Sequence, residues 1–240
     1  MEKTKLNRFI SKYFLNGSAE SVVWHCKDDV LSVKFVDDTK SIIGDVSCEK
    51  SNFPESEFGV NQTSKLRSLL NVVGETIDID VRLKDDAAVM LQISDSNVDV
   101  NYVLSDMSII AKVPNLKTLP VWDLVLSVDE KFIDNFVKAT NALSDVKEFA
   151  VVAKKDKVNF VIGHSNINTT KVAINIDVKT FNEMAVTYFS AAHLKEVLVA
   201  SKDAKIGKIE VSSKGLMRIT FNVDDFKATY FLVSKQDVNA

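Results

Sequence analysis

Between Gly59 and Gly74 the apolar positions of the chain change their period. Leu66, Leu69, Leu70 and Val73 recur at helical spacing, Ser64, Ser68 and Asn71 lie opposite, and Lys65 and Arg67 flank the stripe. The spacing predicts a short amphipathic helix over 63–73, reached from a strand and stopped by Gly74. Directly after it Ile77, Ile79, Val81 and Leu83 alternate with polar residues, as a half-buried strand does.

The same two periods organise the rest. Thr4 to Asn16 puts Leu6, Phe9, Ile10, Tyr13 and Phe14 on one helical face and Arg8, with Lys5 and Lys12 beside it, on the other; Asn16-Gly17 ends that helix. Strands are predicted over 21–26, 30–36, 42–48 and 57–61, and again over 76–83, 87–94 and 97–104, with Asp28-Asp29 and Asp37-Asp38 as turns. Residues 111–123 hold two of the three prolines, keep neither period, and predict an interdomain connector over 113–123, between a domain 1–112 and a domain 124–240. Beyond it Asp129 is placed to cap a helix with Phe132, Ile133, Phe136, Val137 and Thr140 inward and Lys131 and Lys138 outward. Strands near 147–153, 157–163, 170–177 and 182–189, a helix on Leu194, Val197 and Leu198, and three further strands complete the pattern.

At an offset of about 127 to 128 residues the two halves hold one register, the mark of an internal duplication. Phe9 falls on Phe136 and Ile10 on Val137. Val22, Leu31, Val33 and Phe35 fall on Phe149, Val158, Phe160 and Ile162; Leu66 and Leu70 on Leu194 and Leu198; Val89, Leu91 and Ile93 on Met217, Ile219 and Phe221; Tyr102 and Leu104 on Tyr230 and Leu232. Helices this short cannot form a bundle, so each is expected to lay its apolar face on a sheet and expose the other. The fold class this predicts is α+β, two duplicated domains of antiparallel sheet with two helices each.

Charge sharpens the picture. The chain carries a net charge of −3, and its 46% hydrophobic and 26% charged content is that of a globular protein. An acidic protein does not coat nucleic acid by bulk charge. The four helical segments nevertheless sum to about +6, leaving about −9 elsewhere, so basic helices are expected on an acidic body. Such helix faces serve solubility; side by side, Lys5, Arg8, Lys12, Lys65, Arg67, Lys131, Lys138, Lys195 and Lys202 would instead line a surface suited to phosphate backbones and blind to sequence. No aromatic residues interleave for stacking on single strands.

Catalytic chemistry is not in view. His25, His164 and His193 lack partners at metal or triad spacing, and Asp85-Asp86 and Asp224-Asp225 read as turns. The seven glycines form no phosphate loop. Cys26 and Cys48 are expected to be free thiols, the sequons at Asn16, Asn61 and Asn168 to be idle, and no apolar run suggests a membrane span or signal peptide. The expectation is a cytoplasmic non-enzyme without metal or cofactor.

Three segments resemble the ring-shaped sliding clamps of DNA replication, the family of proliferating cell nuclear antigen and the tailed-bacteriophage clamps. They are Phe58 to Leu66 with its helix and the strand at 76–83, Phe181 to Ala200, and Lys208 to Lys235 with its Thr229-Tyr230-Phe231-Leu232-Val233-Ser234-Lys235 ending. The modest length and short tail look more like the viral or phage branch. The resemblance implies a homotrimeric ring with helices lining the hole and sheets outside, threaded by double-stranded DNA. It implies loading by an ATP-dependent clamp loader and tethering of a DNA polymerase, in the host cytoplasm or, for a eukaryote, the nucleus. It also implies a groove for partner peptides, at which Val36, Ile42, Leu119 and Phe231 match by position and suit a core role equally well. Ser234 stands where the family commonly has proline. The alternative is a duplicated β-rich structural or virion assembly protein.

Overall fold

Asp129 caps as its position predicts: its carboxylate accepts the Phe132 N–H at 2.8 Å and opens a helix that runs to Ala142. The computed structural model describes residues 2–116, 118–155, 157–165, 167, 169–178 and 180–235; Lys117 of the predicted connector and Asn168 of the third sequon lie outside them. The first half contains α1 (Lys3–Phe14), β1 (Val22–Lys27), β2 (Val30–Val36), β3 (Ile42–Cys48), β4 (Ser56–Val60), α2 (Thr63–Leu70), β5 (Asp78–Lys84), β6 (Ala87–Ser94) and β7 (Asp99–Val103). The second contains β8 (Leu124–Asp129), α3 (Glu130–Ala142), β9 (Glu148–Lys154), β10 (Lys157–Ile162), β11 (Val172–Ile176), β12 (Met184–Ser190), α4 (Ala191–Ala200), β13 (Ile206–Ser212), β14 (Leu216–Val223) and β15 (Phe226–Val233).

The strand order repeats with the elements. β4-β1-β2-β3 matches β12-β9-β10-β11, and β5-β6-β7 matches β13-β14-β15, with antiparallel pairing in each register described. This is an α+β fold of antiparallel sheets with two α-helices in each half. Two compact units result: Met1–Asp38 with Ile43–Pro114 and Asp224–Ala228, and Thr39–Ile42 with Asn115–Val223 and Thr229–Ala240. Each unit therefore takes in a short piece from the other half of the chain.

Burial follows the repeat. Phe9, Leu31, Val33, Leu66, Leu70, Leu91 and Ile93 are fully buried, and so are their counterparts Phe136, Val158, Phe160, Leu194, Leu198, Ile219 and Phe221. Val89 departs from it, exposed where Met217 is buried. In the first unit the core centres on Trp24, whose ring meets Phe9 at 5.3 Å and Phe58 at 5.7 Å and whose Nε1 donates to the Tyr13 hydroxyl at 3.2 Å. In the second it centres on Phe149, between Phe136 at 5.1 Å and Phe160 at 5.3 Å. Gly44 and Gly207 sit opposite Phe35 and Phe221 in their ladders, and a Cβ at either would lie 2.1 or 2.2 Å from the facing ring. Each glycine leaves room for an aromatic side chain folded across its strand.

Two elements differ from expectation. β8 has no counterpart among the predicted strands; its alternation is short and abuts the proline-bearing connector, and its last residue is the helix cap. At the matching place before α1 the first half forms only an isolated bridge, Glu2 to Thr76. Gly74 does not stop α2, which ends at Leu70 with Asn71 as its cap in ordinary helical conformation; the Gly74 N–H is given to the Asp95 carboxylate.

On β13 Glu210 is 4% exposed and pairs with the Arg218 guanidinium and, at 2.8 Å, with Lys208. Burial alone would raise its pKa; the bonds from Arg218 and Lys208 outweigh this and hold the carboxyl below the ordinary glutamate range. A depressed folded pKa gives stability that is present above the unfolded value and is lost as pH falls through the folded one. Glu210→Gln should therefore cost about 1.5–3 kcal/mol at neutral pH, a gap that narrows as pH drops below about 4.3. Denaturant titrations of both proteins across that range check it, and a gap independent of pH would refute it.

Candidate nucleic-acid interface

The exposed sides of the four helices are where cations were expected to gather, and the helices differ. α1 carries Lys3, Lys5, Arg8 and Lys12 and α2 carries Lys65 and Arg67, with no acidic residue in either. In α3 Lys131 and Lys138 are balanced by Glu130 and Asp134, and in α4 Lys195 is balanced by Glu196. The basic bias thus belongs to the first unit's helices and is not shared by all four.

Much of the charge on α1 is internally committed. Lys5 donates to the carbonyls of Glu49 at 3.1 Å and Lys50 at 2.8 Å and pairs with Asp225 at 2.7 Å, which holds the Asp225 carboxyl below the usual range. Arg8 pairs with Asp224 at 2.8 Å and lies 4.6 Å above the Phe226 ring. Lys12, expected on the outer face, is 1% exposed, with its ammonium 5.6 Å from the same ring. It is removed from the candidate surface: its stem packs into the core and its charge faces an aromatic ring. Locally α1 offers no sign of this, because the carboxylates that pair with Lys5 and Arg8 lie more than two hundred residues away.

The remaining cations are more open. Lys65, Lys131 and Lys138 are exposed, and Lys195 is half-buried on α4. Arg67 lies 5.0 Å over the Phe14 ring, and no carboxylate among the described residues pairs with it. Lys202 sits beyond the end of α4 and pairs with Asp134 of α3 at 3.1 Å. The nine candidates accordingly divide into Lys5, Arg8, Lys12 and Lys202, held by the protein, and Lys65, Arg67, Lys131, Lys138 and Lys195.

Among the expected groove residues, Ile42 is 0% exposed and faces the core of its strand, so it cannot line a surface. Its neighbour Ile43, half-buried and paired with Val36 across β2 and β3, takes the outward position. Ile42 was expected there from its position in the resemblance, and two adjacent isoleucines leave open which of them a strand turns outward. Val36 and Phe231 are half-buried, each on the outward side of its strand, and Leu119 is 39% exposed.

His25 and His164 are engaged locally. His25 Nδ1 lies 3.4 Å from Glu57, and His164 Nδ1 lies 2.9 Å from the Tyr188 hydroxyl, with burial, then Lys171 and Lys154, lowering the His164 pKa. Both cysteines are buried and reduced, and burial raises the pKa of each. Among the described residues no three His, Cys, Asp or Glu side chains are grouped to hold a metal ion, and no helix is long and apolar enough to cross a membrane.

A chain of two such repeats, each with two helices and matching sets of four and three antiparallel strands, has the architecture of a clamp. Comparison with solved structures makes the class specific: the fold is that of the sliding clamps related to proliferating cell nuclear antigen. With A. fulgidus PCNA, solved with the C-terminal region of FEN-1 bound, the TM-score is 0.76 at 17% identity over 100% of this chain and 98% of that one. The PCNA2–PCNA3 complex from Sulfolobus tokodaii gives 0.73 at 11% identity over 98% of each chain. Proliferating cellular nuclear antigen from Entamoeba histolytica gives 0.72 at 15% identity over 98% and 96%. These are archaeal and eukaryotic proteins. By sequence, no family model and no curated protein matches the chain.

Proposed function

We propose that this chain is a sliding clamp, a non-enzymatic processivity factor that closes as a homotrimer around duplex DNA and tethers a replicative DNA polymerase after an ATP-driven loader has opened the ring. The observation that carries the reading is the clamp fold itself, matched from end to end of the chain. Uncommitted cations on helix faces support it, because a threaded duplex needs weak, sequence-blind contacts and no tight site. Among the described residues each unit also has strands at the ends of its sheets with no strand on their outer side, β7 in the first and β11 in the second among them. A head-to-tail ring needs two different surfaces of this kind on every subunit.

Native mass by sedimentation tests the reading first: three chains of 26.7 kDa should give a species of about 80 kDa. Loaded rings should then stay on closed circular DNA and leave when the circle is cut. A persistent monomer would remove the ring. Partner binding is assigned to an apolar surface that includes the exposed Leu119. Leu119→Glu should lower polymerase stimulation by about tenfold or more, the loss of one well-seated apolar anchor, and leave the native mass unchanged. Undiminished stimulation would take Leu119 out of that surface.

A further inference from the structure

We infer that the outer edge of β5 is a docking surface for β5 of a second copy of this chain, the two strands pairing antiparallel about a twofold axis at Val81. The contact is additional to the ring edges β7 and β11. β5 ends the sheet β5-β6-β7 and has no strand on its outer side among the described residues. Its counterpart in the second half does. By the repeat, the pairs Ile79–Ile93 and Val81–Leu91 fall on Gly207–Phe221 and Ile209–Ile219, and β13 carries β8 along that side. Burial differs accordingly: Ile209 is fully buried, whereas Ile79 and Val81 are half-buried and Leu83 is 62% exposed.

The open edge also has free backbone groups. The Leu104–Val89 bond and the register of β6 with β7 direct Leu91 and Ile93 to β7. Met90 and Gln92 then bond Arg82 and Asp80, which leaves the N–H and C=O groups of Ile79, Val81 and Leu83 on the outer side. The bulge in this hairpin is on β6 at Val89, so β5 keeps its alternation through Lys84.

The sequence of β5, Asp-Ile-Asp-Val-Arg-Leu-Lys, is its own complement. With Val81 opposite Val81, Asp78 faces Lys84, Asp80 faces Arg82 and Ile79 faces Leu83, and the same pairs recur beyond the axis. The charges share one face of the strand and the apolar residues the other. Slipping the register by two residues sets Asp80 on Asp80 or Arg82 on Arg82, and parallel pairing in register sets every charge on its like. Charges on an edge strand ordinarily keep other strands away; the order of these admits one partner, an inverted copy of itself. Asp78, Asp80 and Lys84 have no ion-pair partner among the described residues, and Arg82 gives its Nε–H to Gln92 at 2.9 Å. None of the other end strands, β4, β7, β8, β11 and β12, carries charges of both signs.

Sedimentation of the full-length chain at concentrations up to about 1 mM, the weak end of specific association, tests the pairing. A closed ring should double from about 80 to about 160 kDa, and a chain that closes no ring should double from 26.7 to about 53 kDa, so the pairing is read apart from the ring. Arg82→Asp with Lys84→Asp makes the edge acidic, and Asp78→Lys with Asp80→Lys makes it basic. Each variant alone should self-associate about tenfold or more weakly, and an equimolar mixture of the two should recover the doubled species. Val81→Pro removes an outward N–H, spares the ladder to β6, and should abolish doubling while circular dichroism stays native. A wild type that never doubles, charge variants that double as wild type does, or a mixture that fails to recover overturns the pairing and leaves the clamp reading standing.

Discussion

If the chain closes as the proposed trimer of about 80 kDa, Asn101→Pro should convert it into a folded monomer of 26.7 kDa. The reasoning starts from one hydrogen bond. The Leu104 N–H donates to the Val89 carbonyl at 3.0 Å, and β7 pairs with β6 in the register Tyr102 to Leu91 and Val100 to Ile93. In an antiparallel pair such bonds fall on alternate residues, so Val100 and Tyr102 bond inward while the N–H groups of Asn101 and Val103 leave the free edge. Just past the strand Ser105 donates to Gly59, but Asp99–Val103 has no strand on its outer side among the described residues. Proline at 101 removes an outward donor, puts a ring on the edge, and spares the ladder to β6. Asn101 is exposed, so its side chain contributes little to the core. Circular dichroism should stay native while sedimentation reports the monomer. A trimer that survives the substitution would show that β7 does not close the ring.

Phe149→Ala should cost about 3–5 kcal/mol, the largest stability effect expected from a single side chain in the second unit. The Phe149 ring is fully buried and touches three others: Phe136 of α3 at 5.1 Å edge-on, Phe160 of β10 at 5.3 Å and Phe189 of β12 at 6.0 Å. Truncation removes the transfer free energy of the ring, opens a cavity bounded by stiff neighbours, and deletes three aromatic pairs at once. Guanidinium titration followed by fluorescence and circular dichroism would read the loss. A shift below about 1 kcal/mol would mean that α3 and the sheet collapse onto the vacated space, which close-packed aromatic neighbours should resist.

What could be read in advance was whatever depends on near neighbours. The 3.6-residue stripe on Leu66, Leu70, Leu194 and Leu198 identified helices whose apolar faces are buried, and Asp129 was legible as a cap because a cap acts within one turn. Alternation placed β2, β3 and β6 at their observed bounds. Features that depend on distant partners were not legible. Lys5, Arg8 and Lys12 look alike along α1, and only the turn at Asp224, Asp225 and Phe226 separates structural cations from available ones. Ile42 and Ile43 are interchangeable until the pairing with Val36 sets the face.

The two units each incorporate a piece from the opposite half of the chain, Asp224–Ala228 in one and Thr39–Ile42 in the other. In the first the borrowed piece meets Lys5 and Arg8, and in the second the Ser41 carbonyl accepts the Val233 N–H at 3.0 Å. Severing the connector would therefore not release two self-sufficient repeats, for each would lack a hairpin tip that its partner keeps. A subunit built from one such repeat would have to obtain that tip from a neighbouring molecule. Fusing two repeats turns that swap between molecules into one within a single chain, which removes its dependence on concentration and commits the duplicated gene to remaining in one piece.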